Sequence, residues 1–125
     1  MTILNDNLYK TESFTDVDGK IEAALTIDAS HDIFKGHFPG QPVLPGVCMI
    51  QIFKELLEKA TGQNLFLYQA DSSKFLSMVD PQATPNITFL IDYTTTEGYI
   101  KANGILKSES ATFLKISNCS FRVEV

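Results

Sequence analysis

Apolar and polar positions alternate along residues 20–28. Ile21, Ala23, Leu25 and Ile27 fall on one side; Lys20, Glu22, Thr26 and Asp28 fall mostly on the other. A period of two predicts a strand with one buried face. A first alternating segment covers residues 8–14, and Asp16-Val17-Asp18-Gly19 between the two favours a hairpin reversal. The period changes over residues 46–60, where Val47, Ile50, Phe53 or Lys54, Leu57 and Ala60 form one stripe and Met49, Ile52 and Leu56 a second. This is the one long helix the pattern predicts. Residues 47–53 are apolar nearly all round except at Gln51, as in a helix buried on most sides. Lys54, Glu55, Glu58 and Lys59 predict that its second half reaches solvent, and Thr61-Gly62 supplies the stop. Residues 65–68, 74–79, 87–96, 99–106 and 112–125 are rich in β-branched and aromatic side chains and predict strands, with turns at Glu97-Gly98 and Glu109-Ser110.

One buried helix, a hairpin before it and a run of strands after it predict an α+β domain over residues 1–125, with a curved antiparallel sheet wrapped around the helix. Such a sheet covers only part of a helix that is apolar on all sides. A second subunit is expected to cover the remainder.

Composition narrows the function. With 125 residues, 44% of them hydrophobic and 20% charged, the chain resembles an ordinary globular domain. Its net charge is −5 and Arg122 is its one arginine, which argues against a broad nucleic-acid face and against a site built on arginine–phosphate forks. No apolar run is long enough to span a membrane, and the first residues lack the pattern of a secretory signal. Cys48 and Cys119 sit in no CxxC or His-rich frame, so two buried, reduced thiols in a cytoplasmic protein are expected, with no metal site.

The pattern breaks between Ser30 and Pro45. Residues 36–46 hold three of the five prolines and three of the seven glycines, which predicts an ordered loop, with Pro45 placed for the first turn of the helix. His37 lies in this loop, nine residues before the helix N-terminus. That end offers free backbone N–H groups and a partial positive charge, able to polarise a carbonyl oxygen. Gln51 is the polar residue within the apolar half of the helix. It is either a core amide bonded to its neighbours or a side chain presented to a ligand, and both require a partner. Glu55 lies one turn further, about 5–6 Å away between Cβ atoms. On residue type alone it reads as a solvated carboxylate near the helix end.

The segment Phe34-Lys35-Gly36-His37-Phe38-Pro39-Gly40-Gln41-Pro42-Val43-Leu44-Pro45-Gly46-Val47 resembles the active-site segment of the 3-hydroxyacyl-[acyl-carrier-protein] dehydratases, the hotdog-fold dehydratases of fatty-acid synthesis. Lys74-Phe75 and Val79-Asp80-Pro81 resemble the strand and loop that follow in that family, and the resemblance extends over residues 17–125. It implies a hotdog-fold dimer that removes water from a 3-hydroxyacyl thioester, giving the trans-2-enoyl thioester. The substrate would be carried on the phosphopantetheine of an acyl-carrier protein, with no metal or redox cofactor. His37 takes the position of the catalytic histidine. Phe38, Pro39, Pro45, Gly46 and Val47 fall among the substrate-binding positions, with the backbone N–H groups of Gly46 and Val47 holding the thioester oxygen. The catalytic glutamate of the family falls five residues after the Pro-Gly glycine, and that residue is Gln51. The glutamine common one turn later is Glu55, so the two residue types are exchanged. Glutamine cannot deliver a proton as a carboxylic acid does, although it can orient a hydroxyl. A hotdog thioesterase using Glu55 to align water, and a non-catalytic subunit paired with a catalytic partner, are the alternative readings. Lys35, Lys74 and Lys54 are candidates for docking an acidic carrier.

Overall fold

The computed structural model describes residues 4–36 and 42–124. Strand β1 (Tyr9–Val17) and strand β2 (Lys20–Ile27) form the expected hairpin. The reversal is tighter than the sequence suggested. Only Asp18 and Gly19 turn, both with positive φ (53° and 78°), as the two-residue hairpin loops that match strand twist require. A four-residue helix, α1 (Ile33–Gly36), occupies part of the segment expected to be loop. It is entered through a local network: Asp28 Oδ1 accepts from the Ser30 amide and hydroxyl, and His31 Nδ1 accepts from the Ile33 amide at 3.0 Å.

Helix α2 (Gly46–Thr61) begins and ends close to where its pattern placed it. Gly62 closes it in the left-handed conformation (φ 69°), its amide donating to the Glu58 carbonyl at 2.8 Å. The remaining strands are β3 (Leu65–Phe75), β4 (Asn86–Thr96), β5 (Tyr99–Lys107) and β6 (Thr112–Val123). All six join one antiparallel sheet in the order β1-β2-β4-β5-β6-β3.

Two expected strands, residues 65–68 and 74–79, prove to be a single one. Strand β3 runs unbroken from Leu65 to Phe75, absorbing its polar middle through a bulge between Leu67 and Gln69 opposite β6. It stops at Phe75. Val79 lies beyond it in the following loop, fully buried, with its carbonyl accepting from the Leu44 amide at 2.9 Å.

The core lies between one face of the sheet and α2. Ile21, Ala23, Leu25 and Ile27 of β2 all point inward, as their alternation predicted. In β6 the alternation slips: Ile116 and Cys119, three apart, are both buried. Asn118 resolves this with a left-handed backbone (φ 52°) that bulges the strand between the pairs Ala102–Cys119 and Gly104–Ile116. At the centre, Phe53 of α2 stacks on Phe89 (ring centroids 5.6 Å apart) and tilts against Phe121 (5.7 Å). Gly104 makes room for this ring, since a Cβ there would stand 2.6 Å from Phe53 Cε1.

The second half of α2 does not reach solvent as expected. Lys59 is exposed and Lys54 half-buried, but Glu55 and Glu58 are buried at 1% and 7% exposure. The reason is that backbone amides arrive to meet them. The Leu65 amide at the start of β3 donates to Glu58 Oε2 at 2.9 Å, and the N-terminal segment covers Glu55. The other end of the helix differs too. In the single chain Val47 is 75% exposed and Ile50 half-buried, so the first turn is uncovered on one side.

Candidate active site

The described candidate residues are Pro45, at the start of α2, and Gly46, Val47, Gln51 and Glu55 within it. Pro45, the residue that caps the helix, has extended geometry (φ −61°, ψ 145°) and brings no side-chain hydrogen bond to the first turn. Cys48 and Met49 are the first amides to bond back, both to the Pro45 carbonyl, at 3.0 and 3.2 Å. Gly46 and Val47 precede them, so their N–H groups have no carbonyl of the helix to reach. The partial positive charge of the helix N-terminus gathers at these two amides. Gly46 also lets the ring of Phe75 lie against the helix start, because a Cβ there would stand 2.8 Å from Phe75 Cε1.

His37, Phe38 and Pro39 lie outside the described residues, which resume at Pro42. The chain on either side of them is anchored. Phe34 is 7% exposed and Leu44 3%, and Leu44 is tied to Val79 as described above. The other histidine, His31, is engaged locally. Its Nδ1 accepts from the Ile33 amide, so its Nε2 carries the proton and donates to Asn7 Oδ1 at 3.1 Å.

Gln51 and Glu55 are in direct contact. Gln51 Nε2 donates to Glu55 Oε2 at 2.9 Å, which supplies the side-chain partner that a polar residue among apolar neighbours needs. Glu55 also accepts from the Leu4 amide (3.0 Å, Oε2), the Asn5 amide (2.9 Å, Oε1) and the Tyr9 hydroxyl (3.0 Å, Oε1). In each of these four bonds the carboxylate is the acceptor. Burial first, and then the adjacent Glu55 carboxylate, push the Tyr9 hydroxyl far above the ordinary tyrosine range, keeping it a donor. The part of Tyr9 and of the amides before it was not visible in the sequence. The one available signal was that a glutamate one turn from Gln51 on a largely apolar helix needs donors from outside that helix.

Among the described residues no group of three or more His, Cys, Asp or Glu stands at metal-binding spacing. Burial pushes both thiols up, Cys119 to about 11. No helix among the described residues is long and apolar enough to cross a membrane.

A family model described as ApeI-like, ApeI dehydratase, matches residues 13–114, a span that takes in the motif, all of α2 and most of the sheet. The chain belongs to the ApeI-like dehydratase family. The 3-hydroxyacyl-[acyl-carrier-protein] dehydratase FabZ of Rickettsia canadensis is 28% identical over 108 residues, covering 76% of each chain. The FabZ of Lactobacillus helveticus is 36% identical over 68 residues, 49% of this chain and 46% of that one. Among solved structures, the dehydratase heterocomplex ApeI:P from Xenorhabdus doucetiae superposes with a TM-score of 0.64 at 20% identity, covering 91% of this chain and 96% of that one. A thioesterase from Haemophilus influenzae gives 0.65 at 14% identity, covering 95% and 80%. These likenesses establish the hotdog fold for this member of the ApeI-like family, and that one fold hosts both dehydratases and thioesterases.

Proposed function

We propose that the chain removes water from 3-hydroxyacyl thioesters carried on the phosphopantetheine of an acyl-carrier protein, giving trans-2-enoyl thioesters. The observation that carries this reading is the family match, because it runs through the whole 34–47 motif and the helix behind it. His37 takes the proton from C2. The electron pair left behind forms the C2–C3 double bond, the C3–O bond breaks, and the departing hydroxide takes up a proton to leave as water. The Gly46 and Val47 amides meet the negative charge that builds on the thioester oxygen, and their lack of helical partners suits them to it. Phe38, Pro39 and Pro45 take substrate-binding positions of the family motif. Gln51 accepts a hydrogen bond from the 3-hydroxyl without protonating it. The proton that completes the water is the one His37 has just taken.

The active unit is a homodimer. In the single chain β3 is an edge strand whose one strand neighbour among the described residues is β6, and it exposes Phe66, Leu67, Tyr68 and Phe75, followed by Leu76 and Met78. An unpaired edge of eleven residues with exposed apolar side chains at both ends favours pairing with another strand. Val47 at the uncovered helix start is exposed as well.

Incubation of the purified chain with a 3-hydroxyacyl carrier protein, read by mass spectrometry, tests the reading. Loss of one water with the thioester intact supports it. Release of the free acid would make the chain a thioesterase. A second reading, that of a non-catalytic subunit, draws on Gln51 standing where the dehydratases carry glutamate; no change by the chain alone would favour that one.

A further inference from the structure

We propose that Glu55 is a positioning residue for this reaction: it holds the amide of Gln51 in one orientation, so that the carbonyl oxygen is the acceptor edge offered to the substrate hydroxyl. The inference rests on the dehydratase reading for its consequence, but not for its geometry.

A carboxylate has only acceptors, so the edge of the Gln51 amide that faces it must be the NH₂ edge. The opposite orientation would set two acceptor oxygens against each other at the 2.9 Å separation found here. Glu55 cannot rotate away to relieve such a clash. It is 1% exposed and held by the Leu4 and Asn5 amides and the Tyr9 hydroxyl. The two residues stand four apart on α2, on the same face of the helix. With the NH₂ edge engaged, the Gln51 carbonyl is left as its acceptor. A 3-hydroxyl that donates to that oxygen keeps its lone pairs for the proton returned by His37. An unanchored amide would turn about its terminal torsion and offer NH₂ in the same place, competing for those lone pairs. The glutamate that the sequence places one turn late therefore acts through the glutamine, and the N-terminal segment on the same carboxylate keeps it from moving.

A kinetic cycle and a spectrum test this together. Glu55→Gln, which keeps the shape and removes an acceptor, should lower kcat by about ten- to a hundredfold, with KM within about twofold. In a Gln51→Leu background the same change should alter kcat by less than about threefold, because there is no amide left to orient. If Glu55 only tethers the N-terminal segment, Glu55→Gln lowers kcat equally in both backgrounds; that result would overturn the proposal. The spectral arm needs no turnover. In ¹⁵N-labelled protein, the side-chain amide pair that vanishes in Gln51→Leu should exchange with solvent more slowly than the exposed Gln63 and Gln82 pairs. Equal exchange rates would overturn the orientation itself. Slow exchange in a protein that dehydrates nothing would uphold the orientation and place the failure in the functional reading.

Discussion

Cys119 faces the core from β6 at 2% exposure, and burial pushes its thiol from 9.0 to about 11. Between those two pH values the unfolded chain has released this proton and the folded chain has kept it, so stability falls as pH rises from 9 to 11. Below pH 9 the thiol is protonated in both states and contributes no slope. Denaturant midpoints across this window should fall less steeply in Cys119→Ala than in the parent, and neither buried thiol should react with a thiol reagent in the native protein at neutral pH. His37 offers a sharper test. His37→Ala should lower dehydration by at least about a hundredfold while far-UV circular dichroism and the melting midpoint stay near those of the parent. At this scale the sequence was informative about Gln51, whose need for a partner followed from its apolar neighbours. It misled about Glu55 and Glu58, because the donors that bury them come from segments distant in the chain: Leu4, Asn5 and Tyr9 for one, Leu65 for the other. Periodicity reports a residue's own helix and is silent on what arrives from elsewhere.

Among the elements, α2 and β2 were legible because each carries an uninterrupted period: 3.6 residues in one, two in the other. Strand β3 was not, since Gln69, Asp71, Ser72 and Ser73 interrupt its apolar ends and its outer edge has no neighbour to reward alternation. The β6 bulge was equally hidden, as a left-handed Asn118 is decided by which residues must face the core on either side of it. The contact between α2 and the sheet carries a prediction at this scale. Gly104→Ala pushes a methyl into the ring of Phe53, which is enclosed by Phe89 and Phe121 and has little room to yield. The expected cost is about 1–3 kcal/mol of folding stability, measured as a lower urea midpoint with an unchanged slope.

For the whole molecule, charge and shape decide what it meets. The chain is acidic, yet Lys74 of β3 stands directly beside Lys115 of β6, both exposed. Lys35 is exposed too, 3.2 Å from Asp32 and therefore partly neutralised; Lys54 is half-buried. Lys74 is thus the strongest of the three candidates for meeting an acidic carrier. Replacing Lys35 and Lys74 together by Glu should raise KM for the carrier-borne substrate with little change in kcat, and the difference should shrink as salt is added. Assembly is the second property at this scale. Light scattering at micromolar concentration should give the mass of a dimer, and Leu67→Lys, which sets a charge on the apolar edge, should shift it towards monomer.

The two edges of the sheet are unlike. At β3 the exposed side chains include Phe66, Leu67, Tyr68 and Phe75; at β1 they include Lys10, Glu12 and Asp16, and a bulge between Thr11 and Ser13 breaks the regular backbone pattern. Once two copies join through β3, the strands left outermost are both β1. A third copy would find there three charged side chains, with Val17 as the one large apolar side chain exposed on the strand, and an irregular row of hydrogen-bonding groups. Growth along the sheet direction is therefore self-limiting: the edge that invites a partner is consumed by the first one, and the edge that remains is built to refuse the next.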